Sequence, residues 1–477
     1  MSPAPDATVT LSDLASPGGT PSMARKFLIG PTQGGPIDEA KVVTSLGAYR
    51  EVFGAAESNT YMDKWVSSAF NSGVQEIVVS RAVGDAPTQA QVELDGAASA
   101  DSIIFRALEY GDVGERISVD VDVETTNFIL KVYFDGKLKE TSPALADIAA
   151  AIAWSAGSRY GRVLQNNAGT VDPVATGTPV ALTGGADDRA SIDETNIVAA
   201  YNRFDELGFG EVYVPDYQDA DILVALTVAA AADNRFVGGD LTDSADEDDL
   251  INEVGDLAFD DPDTRRRLFF FGPRQRVRYE GALVEVPMSA LIAGQIARGD
   301  ELYGPGQPAA GEFVIPEGVV ELTQQYDKAA RDKLADAGIN VVRVKNGKIL
   351  VYDWITFADQ VNDEDWTMLS AARTMMYVSG AAQLVLDAHH FGKVDKGFRL
   401  SAVRGDLIKL ACQPFLDNGD LYGNTPDEAY KVDVGPALNP PADIQRGRLK
   451  AQIKAVPSSF GRFLEVTVYK STITQGV

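Results

Sequence analysis

Short apolar stretches alternate with helical stretches through the centre of the chain, and this alternation constrains the fold more than any other feature. The alternating elements are strand 211–214, helix 219–233, strand 235–239, helix 246–258 and strand 267–271. Strands joined by helices of this length form a parallel or mixed sheet that is covered on both faces. Strands at 26–30 and 75–82, with helices at 44–53 and 60–71, predict the same kind of domain near the N-terminus.

A different pattern occupies residues 88–186, where alternating apolar and polar residues predict strands at 102–107, 117–123 and 128–134. Helical periodicity appears there only around 144–154. After the central α/β region, Asn346-Gly347 predicts a type I′ turn in a hairpin of 340–345 with 348–355. Further predicted helices and strands are helices 191–208, 287–298, 322–337, 364–390 and 401–416, and strands 429–434, 448–456 and 462–469.

These elements predict a mixed α/β (α+β), multidomain fold, with a sheet flanked by helices, an inserted β-rich domain and extended N- and C-terminal arms. The predicted division is an N-terminal arm 1–24, an α/β domain in two parts, 25–87 and 187–345, the insertion 88–186, and a C-terminal domain 346–477 that includes an arm at 457–477.

Charge and composition limit the function. The 477 residues carry a formal charge of −27, which disfavours direct binding to nucleic acid or to an anionic membrane. Cys412 is the only cysteine, so an intramolecular disulfide and a multi-cysteine metal cluster are excluded. The sequence has no run of 18 apolar residues, and its start lacks the basic and apolar regions of a secretory signal. We therefore expect a protein made in a reducing cytoplasm without membrane insertion.

Motifs of catalysis are missing from the sequence. Neither G-x-x-x-x-G-K-[ST], G-x-G-x-x-G nor G-x-S-x-G occurs, and the glycine-rich loop 30–35 lacks a lysine, so we expect a structural turn there. His389 and His390 are adjacent and would point about 100° apart on a helix. The acidic run 240–263 holds 11 acids and is typical of a solvated, capped helix. We predict no catalytic residue, no cofactor and no metal.

Two basic features stand out against this acidity. One is an arginine cluster, suited either to ion pairs between subunits or to an internal salt-bridge network: Arg265, Arg266, Arg267, Arg274, Arg276 and Arg278. The other is the C-terminal region from 444 onward, with six bases and one acid. A positive, strand-forming end on an acidic chain suits docking onto a negative neighbour, and a basic sheet edge protected from aggregation is the alternative.

The order of motifs resembles the tail sheath proteins of contractile phage tails and related injection machines. At the C-terminus, Asn439, Pro440, Ala442, Asp443, Ile444, Gly447, Arg448, Val456, Pro457 and Phe460 match the family pattern. FLIGPTQGGP (27–36), LGAYREVFG (46–54) and QEIVVSRAVG (75–84) resemble the start of a sheath protein, with Gln33 and Gly34 in place of smaller residues. YGDVGERISVDV (110–121) resembles the entry to the sheath β-domain, with Glu115-Arg116 in place of Asn-Asp.

The resemblance implies a structural subunit, not an enzyme, that forms hexameric rings stacked around an inner tube and contracts to drive the tube through a cell envelope. It implies as partners further copies of the chain, the tail tube protein, and baseplate and tail terminator proteins, and it places the protein in the virion tail after assembly in the host cytoplasm. Terminal arms would complete the sheets of neighbours through Thr8, Val9 and Leu11 at one end and Phe463, Leu464, Val466, Val468 and Tyr469 at the other.

The candidate tube-facing residues are basic and lie in the C-terminal domain: Lys393, Lys396, Arg399, Arg404 and Lys409. Contact between the acidic run and the arginine cluster after contraction is a further hypothesis. Three alternatives stay open: a sheath of a phage-derived injection particle, another self-assembling shell or surface-layer protein, and an α/β enzyme acting on an anionic or nucleotide substrate.

Overall fold

The computed structural model describes residues 25–55, 60–97, 102–166, 171–394 and 398–462. The predicted N-terminal arm and the C-terminal strand residues from 463 onward lie outside the described residues. Asn59, which directly precedes the helix predicted at 60–71 and is a residue type expected at an N-cap, also lies outside them. None of the helices in the described ranges is long and apolar enough to cross a membrane.

Strands in the described residues are numbered in chain order. They are β1 Arg25–Gly30, β2 Lys41–Val43, β3 Ile77–Arg81, β4 Gln89–Leu94, β5 Ile103–Tyr110, β6 Ile117–Glu124, β7 Asn127–Phe134, β8 Lys137–Thr141, β9 Gly161–Gln165, β10 Val180–Ala181, β11 Gly210–Tyr213, β12 Phe236–Gly239, β13 Leu268–Gly272, β14 Gln275–Tyr279, β15 Ala282–Val286, β16 Val319–Leu322, β17 Ile339–Lys345, β18 Lys348–Val351, β19 Tyr430–Asp433 and β20 Gln452–Ala455.

Helices are numbered in the same way. They are α1 Leu46–Phe53, α2 Met62–Asn71, α3 Ile148–Ser155, α4 Glu194–Tyr201, α5 Ala220–Ala232, α6 Glu247–Gly255, α7 Pro262–Arg265, α8 Met288–Tyr303, α9 Lys328–Asp336, α10 Leu369–His389, α11 Phe398–Asp406, α12 Gln413–Asp417, α13 Pro426–Ala429 and α14 Pro441–Gln445. A π-helical segment, Leu407–Cys412, joins α11 to α12.

An eight-stranded sheet organises the chain in the order β18-β17-β13-β12-β11-β1-β3-β2. Its six inner strands are parallel, and the edge strands β2 and β18 pair antiparallel. Successive residues of β1 point to opposite faces, so Leu28 joins one hydrophobic cluster and Phe27 and Ile29 join another. The predicted α/β class, with a sheet covered on both faces, is confirmed.

The two faces carry different helices. Helices α1, α2, α8 and α10 pack on the face of Leu28, together with the π segment and β19. Helices α4, α5, α6 and α9 pack on the face of Phe27. Because α10 and the π segment share the first of these clusters, the C-terminal region is packed directly against the large sheet.

The β-rich region between 88 and 186 has its own sheets and its own core. One sheet has the order β4-β5-β9 and the other β10-β6-β7-β8. Apolar residues of both sheets, with Ile148 and Ala151 of α3, form a third cluster that is separate from the other two. This region leaves the large sheet after β3 and returns before α4.

The predicted hairpin forms, with Asn346 at φ 52° and Gly347 at φ 76°, as a type I′ turn requires. Both of its strands lie in the large sheet, so the division expected between 345 and 346 falls in the turn of this hairpin.

Two sequence predictions of helix boundaries are wrong. The helix expected at 322–337 begins only at Lys328, because the Asp327 side chain caps it by accepting a hydrogen bond from Ala330 N. Leu322 is instead the last residue of β16, in a small antiparallel sheet with β14 and β15, and 323–327 connect this strand to the helix. Ser191 and Glu194 have the spacing of a capping box at the start of the helix predicted at 191–208, but the box that forms uses Asp193 and Asn196, and α4 begins at Glu194. Ser191 hydrogen-bonds the backbone N–H of Asp85.

Candidate assembly site

The glycine-rich loop after β1 is filled by side chains of the chain itself. The Arg81 guanidinium donates to the carbonyls of Gly35 at 2.8 Å and Tyr110 at 2.9 Å, and Gly35 N donates to the Glu109 carboxylate at 2.7 Å. A Cβ at Gly34 would lie 2.4 Å from that carboxylate. The loop therefore binds the β-rich region to the end of β1, in line with the structural turn expected from the sequence.

A buried ion pair closes the base of the β-rich region. Arg81 Nη2 lies 2.5 Å from Asp187 Oδ1, and both side chains are almost completely buried. Arg189 binds the other Asp187 oxygen at 2.8 Å and also the carbonyl of Thr32. Gly111, at φ 95°, passes so close that a Cβ would lie 2.0 Å from Asp187 Oδ1. These contacts join the points where the chain leaves and re-enters the α/β domain.

Two carboxylates at the carboxyl ends of the parallel strands cap helices that have no cap of their own. Asp216 accepts a hydrogen bond from Tyr61 N at 2.7 Å at the start of α2, and Asp240 accepts one from Ser289 N at 2.9 Å at the start of α8. Trp65 Nε1 donates to Ser289 Oγ at 2.7 Å and ties the two helices together. Burial raises the pKa of both carboxyls to about 6.

A charged network lies buried near the amino ends of β1 and β11. Glu211 binds Lys26 at 2.5 Å and Arg373 of α10 at 2.9 Å, and all three side chains are at most 3% exposed. Arg373 also forms a two-pronged ion pair with Asp300 of α8, whose Oδ2 accepts a hydrogen bond from Tyr377 at 2.6 Å. The network pins α10 and α8 to the sheet, and isolated charges in otherwise apolar strands were its signal in the sequence.

A two-stranded antiparallel sheet, β19–β20, forms a potential docking edge in the C-terminal region. Val456 N donates to the carbonyl of Ala429, so Val456 faces β19. Successive residues of an antiparallel strand direct their N–H groups to opposite sides, so the N–H groups of Ile453 and Ala455 face the outer edge of β20. In the described part of the chain, no strand pairs with that edge. The outer edge of β19 is partly covered, because Arg404 Nε donates to the carbonyl of Val432 at 3.0 Å.

The candidate tube-facing residues differ in their surroundings. Lys393, Arg404 and Lys409 are exposed, and the guanidinium of Arg404 is held at β19 by its hydrogen bond to Val432. Arg399 packs against Gly392. Lys396 lies outside the described residues.

The π-helical segment beside Lys409 is consistent with the proline that follows it. Pro414 has no N–H to donate to the carbonyl of residue 410, so the α-helical hydrogen bond between these two residues cannot form.

The arginine cluster is largely used inside the subunit. Arg265, Arg266 and Arg267 lie over the rings of Phe357, Trp366 and Phe236 at 4.3, 4.2 and 5.0 Å. Arg274 pairs with Glu285 and Arg276 with Glu321, while the side chain of Arg278 points to the exposed side of β14. Burial lowers the pKa of Arg267 to about 10. These contacts favour the internal network of the two alternatives left open by the sequence.

The two histidines and the cysteine, which are the side chains most often used in catalysis or metal binding, contact neighbouring side chains or are buried. His389 Nε2 lies 2.7 Å from Asp406 and links α10 to α11, and the ring of His390 contacts Phe391. Burial raises the pKa of the Cys412 thiol to about 12, which disfavours the reactive thiolate. Among the described residues, no group of three or more metal-ligating side chains converges.

No protein-family model and no curated protein matches this sequence. Solved structures match over most of the chain. A sheath tail protein from Listeria innocua has a TM-score of 0.62 at 11% identity, covering 91% of this chain and 95% of its own. One from Desulfitobacterium hafniense has a TM-score of 0.60 at 12% identity, covering 87% and 91%.

The match extends to an assembled particle. The sheath of an extracellular contractile injection system in the contracted state has a TM-score of 0.59 at 12% identity, and the match covers 100% of both chains. The chain has the fold of a tail sheath protein. Within this fold, buried charged networks join the α/β domain to the β-rich region and to the C-terminal region, and the outer edge of β20 is left unpaired among the described strands.

We expect Arg373→Ala to lower the free energy of unfolding by ~3–5 kcal/mol, because it leaves the largely buried Asp300 without its cation and Glu211 with Lys26 as its one cationic partner. Urea unfolding of the unassembled chain measures this change. Arg276→Ala is the matched control, since its pair with Glu321 is exposed and such pairs contribute about 0–1 kcal/mol. Equal losses in the two variants would contradict the role given to the buried network.

We expect Asp216→Asn to flatten the dependence of stability on pH. The folded-state pKa of about 6 lies above the usual value, so the stabilisation by the protonated acid is full below pH ~4 and is lost as the pH rises through 6. At pH 8 the variant should be more stable by up to ~3 kcal/mol. Thermal unfolding between pH 5 and 8 tests this, with exposed Asp219→Asn as control; identical profiles for Asp216→Asn and wild type would contradict it.

Proposed function

We propose that this chain is the subunit of a contractile sheath, which polymerises as stacked hexameric rings around an inner tube and shortens to drive the tube through a cell envelope. The observation that carries the proposal is the extent of the structural match, which covers the whole chain of a sheath described in a contracted assembly. A fold shared from end to end accounts for the β-rich region and the C-terminal region together.

Strand docking between subunits is the proposed link in the polymer. The outer edge of β20 offers main-chain donors, and the sequence 463–469 places Leu464, Val466 and Val468 at alternate positions, as an added strand would. Each hydrogen bond contributes only ~1 kcal/mol net, so several bonds and buried apolar side chains are needed for a stable joint. Thr8, Val9 and Leu11 are the proposed second donor strand.

The proposed partners are further copies of the chain, the tube protein, and baseplate and terminator proteins at the two ends, and the proposed location is the tail of the particle. Of the candidate tube-facing residues we retain the exposed Lys393 and Lys409, and not Arg404, because its guanidinium binds β19. Matching structures include a baseplate of the anti-feeding prophage at a TM-score of 0.57 and 14% identity, which supports association with a baseplate.

A phage tail and a phage-derived injection particle both remain compatible with the fold. An enzymatic role has less support, because the loop that would cradle an anionic substrate is filled by Arg81 and Glu109. Electron microscopy of the purified chain tests the proposal: we expect hollow striated cylinders. Sheets or closed shells would favour another self-assembling protein, and a monomer with turnover would favour an enzyme.

Removal of residues 463–477 should abolish polymerisation, because it deletes the proposed donor strand, and should leave the subunit folded, because residues before 463 already form three hydrophobic clusters. Sedimentation and electron microscopy measure assembly, and circular dichroism with thermal unfolding measures the fold. Cylinders formed by the truncated chain at the wild-type concentration would contradict the proposed strand docking.

Ala455→Pro should block assembly from the receiving side. Proline removes an N–H that faces the open edge of β20, while the hydrogen bonds between β19 and β20 remain available. Ala455→Val keeps the N–H and is the matched control. We expect loss of sedimentable polymer for proline alone, and normal assembly of the proline variant would exclude this edge as the docking site.

A further inference from the structure

A basic surface protrudes at one end of the large sheet. Strand β17 extends four residues beyond Val341, its last residue paired with β13, and turns into β18 at the tip. Arg343 and Lys345 both lie over the ring of Tyr352, at 3.5 and 4.4 Å from its centre. Neither makes an ion pair with a described carboxylate, and Lys348 has only the exposed pair with Glu312. We call residues 343–348 the basic hairpin tip.

An acidic surface lies at the other end of the same strands. The loops 256–261 and 359–365 contain seven acidic residues and no base, against three arginines at 265–267, a sum of −4. Both loops adjoin the start of β13, since one leads into α7 and the other follows Phe357, whose N–H bonds the carbonyl of Leu268. Asp256, Asp260, Glu364 and Asp365 are exposed. We call these loops the acidic loops.

The two surfaces cannot meet within one subunit. β17 starts beside the acidic loops and ends at the basic hairpin tip, and its seven residues span about 20 Å. The basic surface of one copy can therefore contact the acidic surface of another copy only if the two copies are related by translation or screw rotation. Such a head-to-tail contact is heterologous, and it generates rings or helical filaments and not closed dimers.

We propose that the basic hairpin tip of one subunit binds the acidic loops of the next copy of this chain. This inference rests on the proposed function, because it assigns a second contact to the same polymer. The net charge of −27 makes further copies an acidic partner of the required sign. Unlike strand docking, this contact lies between exposed charges, so salt weakens it.

Charge reversal tests the contact. Lys345→Glu/Lys348→Glu should raise the concentration needed for polymerisation at low salt by at least about tenfold, because it places like charges together. The matched control is Lys137→Glu/Lys139→Glu, with the same charge change on the exposed strand β8. Adding Glu364→Lys/Asp365→Lys to the hairpin variant should restore assembly. Assembly of the hairpin variant at the control's concentration would overturn the inference.

Zero-length carbodiimide cross-linking gives a second readout. This reagent joins a lysine only to a carboxylate in contact, so a peptide linking Lys345 or Lys348 to Glu364 or Asp365 must come from two copies. We expect that peptide by mass spectrometry in wild-type assemblies and not in dilute subunits. Cylinders without it would overturn this inference and leave the proposed function intact, whereas a wild-type chain that forms no cylinder would overturn the function itself. If the hairpin variant formed normal cylinders that did not enclose tubes, the basic hairpin tip would bind the tube protein, and the proposed contact between copies would be overturned.

Discussion

Burial of a parallel sheet on both of its faces is the constraint on which the rest of this structure depends. A charge inside such a sheet has no access to water, so Glu211 is stable only while Lys26 and Arg373 bind it. Because Arg373 belongs to α10 and binds Asp300 of α8, the requirement for neutralisation also determines where the C-terminal helices sit. At the opposite ends of the strands, the pair of Arg81 and Asp187 places the β-rich region in the same way.

The sequence predicted this fold where local signals agreed with tertiary packing. The apolar strand RLFFF and the Asn346-Gly347 turn are examples, because burial and turn geometry act on those residues directly. It failed where a distant group decided the outcome. Residues 322–327 read as helix, yet β14 takes the first of them into a sheet. Ser191 has the residue type and spacing of a helix N-cap, yet its hydroxyl oxygen accepts a hydrogen bond from the N–H of Asp85, more than 100 residues away.

The candidate site was harder to predict than the fold, for the same physical reason. A cluster of arginines in the sequence suggests an exposed charge, but the rings of Phe357, Trp366 and Phe236 come from distant parts of the chain and cover three of its members. Arg343 and Lys345 give no signal in the sequence, because two basic residues in a strand are common. They become a surface only through the projection of the hairpin beyond the sheet.

The two proposed contacts between subunits differ in a way that suits a contracting polymer. Main-chain hydrogen bonds at the edge of β20 need one register and would hold two chains together while their rigid bodies rotate. Contacts between exposed charges tolerate displacement, and salt or distance weakens them gradually. A lattice that keeps the first kind of contact and exchanges the second can change its pitch without separating its subunits. The buried networks around Glu211 and Asp187 would then carry the motion as a unit, because breaking either costs ~3–5 kcal/mol, more than an exposed ion pair supplies.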